Sequence, residues 1–220
     1  QRLQKLIALG TGAIELKSGY GLSLEGELKM LRVIKRLKEW SPIPIKATFL
    51  GAHAYPQEFK ENHQGYIDLL LKTLLPQISA EGLADYIDVF CEQGFFSLDE
   101  TDQILTAATQ LGLKPKIHAN QLSATGAVEL AVRHHALSVD HLEEMNAAAE
   151  DALAAGSTIA TLLPTCSLFL GIPFANARRL LAKNVCLALA SDYNPGSSPS
   201  GNMNLVVSLA CMRQKMLPEE

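Results

Sequence analysis

The sequence has 220 residues, 48% hydrophobic and 19% charged, with a formal net charge of −4. So apolar a chain buries a substantial core, which excludes disorder as its main state. The acidic balance leaves no basic footprint for nucleic acid or anionic membrane, and no apolar run approaches the ~20 residues that span a bilayer.

In chain order, residues 1–9 read as the back half of a helix, with Leu3, Leu6, Ile7 and Leu9 apolar and Gly10 as a stop. A chain that opens inside a helix, without Met and without a signal-peptide profile, is expected to be a piece of a longer protein. A strand is predicted over 12–18 and a helix over 23–40, where Leu24, Leu28, Leu31, Ile34 and Leu37 recur at helical spacing. A strand follows at 44–50, a helix at 66–78 and a strand at 86–90. Ser97 then opens a helix with Asp99 and Glu100 in its first turn. The remaining strands are predicted at 116–118, 137–140, 157–163 and 185–190. Helices are predicted at 124–133, 146–155, 175–183 and 204–212.

Seven strand–helix units behind an orphan helix imply an α/β fold with a parallel sheet. They are one strand short of eight. The expected architecture is therefore a (β/α)8 TIM-type barrel whose first strand is missing from this chain, forming one partial catalytic domain over 1–220. An open doubly wound sheet is the rival. Cys91, Cys166, Cys186 and Cys211 form no CxxC pair. Cys91 and Cys186 lie in apolar runs and read as buried free thiols, which suits a reducing cytoplasm.

In parallel barrels the chemistry lies at the carboxyl ends of the strands. Successive strands end in Lys17-Ser18-Gly19-Tyr20, His53, Cys91-Glu92, His118 to Gln121, Asp140 to Glu143, Pro164-Thr165-Cys166, and Ser191 to Asn194. His53, His118 and His141 terminate strands, whereas His63, His134 and His135 fall in helices and read as solvated surface. Imidazole and carboxylate are what a zinc or iron site needs, so His118 and Asp192 are candidate ligands. A single strand-end histidine is ordinarily a rim residue; three of them with Asp192 on one face form a candidate cluster. Lys17 fits a Schiff-base nucleophile, a carbamylated metal bridge or an ion-pair partner of Glu15 or Glu92, and the pattern favours the ion pair. Tyr20 lies between two glycines, which suggests a close backbone approach. The small polar stretch 194–202 is either an amide cradle for phosphate or carboxylate or a turn-rich loop. Glu143 and Glu144 read as a helix start.

Five stretches, ELKSGYGLSLEGELKML (15–31), ATFLGAHAYP (47–56), KIHANQLSATGAVELA (116–131), SVDHLEE (138–144) and LASDYNPGSSPSGNM (189–203), together resemble the imidazolonepropionases. These are metal-dependent members of the amidohydrolase superfamily. The resemblance implies hydrolytic opening of 4-imidazolone-5-propanoate to N-formimidoyl-L-glutamate, a cytoplasmic step of histidine degradation. It implies one divalent metal, zinc or iron, with His118 and Asp192 as ligands. It also implies a small-molecule substrate contacted by Tyr20, His53, Gln121, Asn194, Gly196 and Ser197. His141, His53 and Gln121 are the implied catalytic residues. Some members carry Glu where this chain has Gln121; the amide is no base, so the proton falls to His141 or a metal hydroxide.

The superfamily's His-x-His pair, an arginine clamp and a small β-sandwich are not in these residues, so the fragment alone is expected to be inactive. Subunit pairing into a homodimer is compatible with the resemblance. A related deaminase or cyclic-amide hydrolase is the alternative within the superfamily, and a metal-free ligand-binding barrel is the alternative outside it.

Overall fold

The computed structural model describes residues 1–220. Helix α1 (Arg2–Ala8) leads into β1 (Ile14–Lys17), α2 (Leu24–Trp40) and β2 (Ile45–Ala52). Then come α3 (His63–Leu69), α4 (Leu75–Glu81), β3 (Tyr86–Cys91), α5 (Leu98–Gln110), β4 (Lys114–Ala119), α6 (Ala127–Arg133) and β5 (Ser138–His141). The chain closes with α7 (Ala147–Ala155), β6 (Ile159–Leu162), α8 (Pro164–Leu170), α9 (Ala177–Ala182), β7 (Leu187–Leu189) and α10 (Met203–Gln214). No helix is long and apolar enough to cross a membrane.

The seven strands form one parallel sheet in sequential order, β1 to β7. Its faces differ in chemistry. Ile87, Val89 and Cys91 of β3, Ile117 and Ala119 of β4 and Val139 of β5 join a core of 41 buried residues with helix residues such as Leu28, Leu31, Ile104 and Leu105. The alternate positions carry Glu15, Lys17, Asp88, Lys116, His118 and Asp140. This is the period-two consequence of strand geometry. The polar face is concave: Lys17 on β1 reaches Asp140 on β5, and Glu15 reaches Lys116 on β4. The two ends of the chain also touch, since the Met203 amide donates to the Leu9 carbonyl at 3.0 Å.

The sheet therefore curls as a barrel does, and β1 and β7 do not pair with each other; seven strands left open at one seam agree with the expectation of a barrel short of one strand, and a full barrel is not formed by these residues. Some other expectations need correction. The helix predicted at 66–78 begins at His63 on an Asn62 cap and widens into a π-turn at Leu70–Leu74. It resumes as α4 and ends at Gly82 with φ +58°. Pro76 explains the widening, because it offers no N–H and its ring crowds the carbonyl one turn back. Helix α8 was not foreseen; the apolar run 164–170 reads as loop or core until Pro164 is recognised at a first-turn position. Glu143 and Glu144 do not start a helix: α7 begins at Ala147 on an Asn146 cap. Cys91 is buried as expected, but Cys186 is exposed.

Candidate active site

At the carboxyl ends of the strands a cavity of about 800 Å³ opens. Tyr20, His53, His118, Gln121, His141, Asp192, Asn194, Gly196 and Ser197 all line it. Residues spread from 20 to 197 thus converge on one space. The curl brings them there, because neighbouring parallel strands end at the same level.

Beneath the cavity lies a charged floor. The Lys17 ammonium donates to Glu15 at 2.6 Å and Asp88 at 2.7 Å, and approaches Asp140 at 3.4 Å. Lys116 bonds Glu15 and lies 3.3 Å from Asp140. Ser138 Oγ donates to the other Asp140 oxygen at 2.8 Å. Burial alone would raise these carboxyl pKa values, but the surrounding cations outweigh it. His118 and Lys17 hold Asp88 well below the usual range, and the two lysines lower Asp140 and Glu15. Burial likewise opposes the charge on Lys17, yet Asp88 and Glu15 push its pKa well above the ordinary lysine value. Lys17 is thus an ion-pair residue with Glu15 as one partner; Glu92 is not another.

His118 stands on this floor. Its Nδ1 lies 3.0 Å from Asp88 Oδ1, and Asp88 raises the imidazole pKa against the effect of burial. Asp88, His118 and Asp140 place ligand atoms within 4.8 Å of one another, a spacing that fits a cation. However, Asp88 already serves Lys17 and His118, and Asp140 serves Ser138 and the lysines. The donor left over is His118 Nε2, held by a carboxylate behind it as metal-binding imidazoles ordinarily are. With Asp192 on the same cavity, the donor set of imidazole nitrogen and carboxylate oxygen suits a divalent metal.

His141 ends β5 in a strained backbone: its φ is +92° and that of Leu142 is +70°. The turn swings the imidazole to 5.2 Å from the His118 ring, centroid to centroid. Its Nδ1 lies 3.7 Å from Glu143 Oε2, too far for a hydrogen bond, and both atoms lack another partner. Burial works to lower this pKa, but the Cys166 thiol and Glu143 outweigh it and push it up to about 9. Glu143 is held in turn by Ser167 Oγ at 2.8 Å, which is why it turns inward instead of opening a helix. Gln121 Nε2 contacts Cys166 Sγ at 3.6 Å. Asn120 and Asp192 also adopt positive φ, at +56° and +49°.

On the opposite wall His53 Nδ1 lies 3.1 Å from the Gly19 carbonyl oxygen, so Nδ1 carries the proton and Nε2 is the free nitrogen. Burial pushes this pKa down. Tyr20 packs edge-on to His53 at 5.3 Å and is 53% exposed toward the opening. Burial of part of its ring and the Asp192 charge raise its phenol pKa.

The 194–198 loop lines the cavity, but its amides are not an open cradle. The Asn194 Oδ1 accepts from the Gly196 and Ser197 amides, each at 2.8 Å. Asn194 Nδ2 donates to the Asp192 carbonyl at 2.6 Å, and Ser197 Oγ donates to the Asp192 carboxylate at 3.0 Å. The loop folds on itself and fixes Asp192; of the two expected forms, the self-contained turn is the one formed.

Several contributors were not among the predicted catalytic, substrate or metal residues. Glu92 is buried and accepts from the Leu122 amide at 3.0 Å and from Ser123 Oγ, which steadies the loop carrying Gln121. Asp88, Lys116 and Asp140 form the floor. Their signal was present: strands buried on both faces read as continuous apolar runs, and charges at alternate positions break that rule.

The parallel α/β sheet, curled around a polar cavity at its strand ends, is a fold this chain has in common with known enzymes. Solved structures share it: a guanine deaminase from C. acetobutylicum (TM-score 0.75, 13% identity, 97% of this chain and 54% of that one). A 5-methylcytosine deaminase from Klebsiella pneumoniae matches at TM-score 0.73 with 13% identity, over 97% and 57% of the two chains. An adenosine deaminase from Xanthomonas campestris with bound zinc matches at 0.70 with 15% identity, over 97% and 49%. No protein-family model matches the chain.

By sequence the chain is homologous along its whole length to imidazolonepropionases. It is 56% identical over 220 residues to the one from Christiangramia forsetii and 57% over 219 to the one from Flavobacterium johnsoniae, in each case over 100% of this chain. The protein from Geobacillus thermodenitrificans is 46% identical over 220 residues. The chain spans about half the length of these relatives, 54%, 53% and 52% respectively.

Proposed function

We propose that this chain supplies most of the catalytic face of an imidazolonepropionase, a cytoplasmic hydrolase that opens the ring of 4-imidazolone-5-propanoate to N-formimidoyl-L-glutamate. The reading rests on one observation: the nine residues the resemblance singled out share one cavity, in a chain 42–57% identical to imidazolonepropionases. A divalent metal, zinc or iron, would be held from this chain by His118 Nε2 and Asp192, and would supply Lewis acidity for attack of water on the ring carbonyl.

The protein groups do the rest. Tyr20 and His53 form the wall against which the ring is oriented, and Gln121 offers an amide to its polar edge. His53, with Nδ1–H committed to Gly19, presents Nε2 as a proton acceptor. His141, across the cavity, steadies charge on the carbonyl oxygen or passes a proton to the departing ring nitrogen as the C–N bond breaks. The Asn194–Ser197 loop acts by holding Asp192 and by offering Ser197 Oγ, because its amides are already used. Homodimers are the assembly this reading carries, and neither nucleic acid nor membrane has a part in it.

The test is turnover by the full-length protein. His118→Ala and Asp192→Ala are each expected to lower kcat/KM for 4-imidazolone-5-propanoate by at least about 100-fold. Retained turnover in either variant overturns the ligand assignment. Turnover of guanine or cytosine with none of the imidazolone would move the protein to the deaminases.

A further inference from the structure

Glu27 is a fully buried carboxylate in the first turns of α2, at 0% exposure. Burying a carboxylate is costly unless it is fully hydrogen-bonded. Here its bonding partners are backbone amides of the loop that follows β1. The Gly19 N–H donates to both oxygens, at 3.1 and 2.9 Å. The Gly21 and Leu22 N–H groups donate to Oε1 at 2.8 and 3.0 Å. Charge-assisted bonds of this kind are about twice as strong as neutral ones, and the helix N-terminus adds favourable potential.

The glycines make the approach possible. A Cβ on Gly21 would lie 2.4 Å from the Gly26 carbonyl carbon. A Cβ on Gly19, whose φ is +102°, would lie 2.6 Å from the Leu50 carbonyl oxygen. The loop is thus pressed between α2 and β2, and Ser18 Oγ pins it to β2 by accepting from the Leu50 amide at 3.0 Å. What this loop presents to the cavity is Tyr20, while its Gly19 carbonyl accepts the hydrogen bond from His53 Nδ1–H.

We propose that Glu27 is a positioning residue: by gripping the 19–22 backbone it sets the direction of Tyr20 and, through the Gly19 carbonyl, fixes His53 with Nε2 free toward the cavity. Glu27 touches no cavity space itself. The proposal rests on the reading of Tyr20 and His53 as substrate-facing groups, and it can be tested apart from that reading.

The Glu27→Gln variant keeps the shape but places an NH₂ where one of the oxygens meets the Gly19 amide. In the full-length protein the first readout is the nitrogen NMR spectrum of His53, which needs no substrate. The native protein is expected to show one tautomer, protonated at Nδ1, with slow exchange of the Gly19, Gly21 and Leu22 amides. Glu27→Gln is expected to give mixed tautomers and faster exchange at Gly19. The second readout is a double-mutant cycle on imidazolone turnover. Glu27→Gln should lower kcat/KM about tenfold in the native background and less than twofold when His53 is already Ala.

An unaltered His53 spectrum in Glu27→Gln, or the same fold-loss in both backgrounds, overturns the proposal. If Glu27→Gln does not fold, Gly19→Ala breaks the same grip from the backbone side and must shift the His53 tautomer. If neither folds, the unmodified protein decides: fast exchange at the three amides, or a His53 proton on Nε2, overturns the proposal, and protection with the Nδ1 tautomer upholds it. Absence of any imidazolone turnover with the NMR results as expected would sink the functional reading and leave the positioning intact.

Discussion

Asp88 shows how much one side chain can carry. It joins the lysine-rich floor to His118, accepting from Lys17 at Oδ2 and lying 3.0 Å from His118 Nδ1 through both oxygens. The Asp88→Asn substitution turns an NH₂ group toward one of these donors and leaves Lys17 undercompensated. We expect a loss of about 3 kcal/mol in urea unfolding, together with a drop of about 10–100-fold in metal affinity of the full-length protein. A variant as stable as the parent would show that the floor is not an energetic unit. The pH dependence has a definite sign. Glu15, Asp88 and Asp140 all have folded pKa values lowered relative to the unfolded chain. Each therefore adds stability that is complete above about pH 4.5 and is lost as pH falls through the folded values. Urea midpoints should fall steeply below about pH 4, less steeply in Asp88→Asn; a midpoint constant from about pH 5 down to about pH 3 contradicts this.

At the scale of elements, α5 shows local chemistry deciding a boundary. Ser97 caps the Glu100 amide, and the Glu100 carboxylate returns a bond to the Ser97 amide at 2.8 Å. Ser97→Ala is expected to cost about 1 kcal/mol, read as a shifted thermal midpoint. That start was legible because capping is a short-range effect. The strands and their order were legible for a similar reason, since apolar runs alternate with helical spacing. The π-turn at Leu70–Leu74 and helix α8 were not, because each depends on how a proline meets neighbours outside its own window. Within the site, His53, His118, His141 and Asp192 could be picked out by residue type at strand ends. Glu27 could not, because a helix-borne glutamate looks solvated until the loop it grips is known, and the grip of the strand-end Glu92 on Leu122 and Ser123 was equally hidden. Within the polar stretch 194–202 the Gly196 and Ser197 amides are taken by Asn194 Oδ1, a local competition that residue type alone does not reveal.

At the scale of the whole molecule, the sheet ends in two edge strands, β1 and β7, each paired on one side only. Exposed strand edges template pairing with other chains. The isolated 220-residue chain is therefore expected to associate as its concentration rises, seen as a shift to earlier elution in size-exclusion chromatography. A single monomeric peak across a hundredfold dilution would show that the edges are shielded.

The bond between the Leu9 carbonyl and the Met203 amide has a consequence for how this polypeptide is made. It is a clasp between partners nearly two hundred positions apart, so during vectorial synthesis the front of the chain emerges long before its mate. Contacts of such long sequence separation form late and slowly. The nascent chain must wait with its polar concavity agape until α10 emerges and brings Met203 to Leu9.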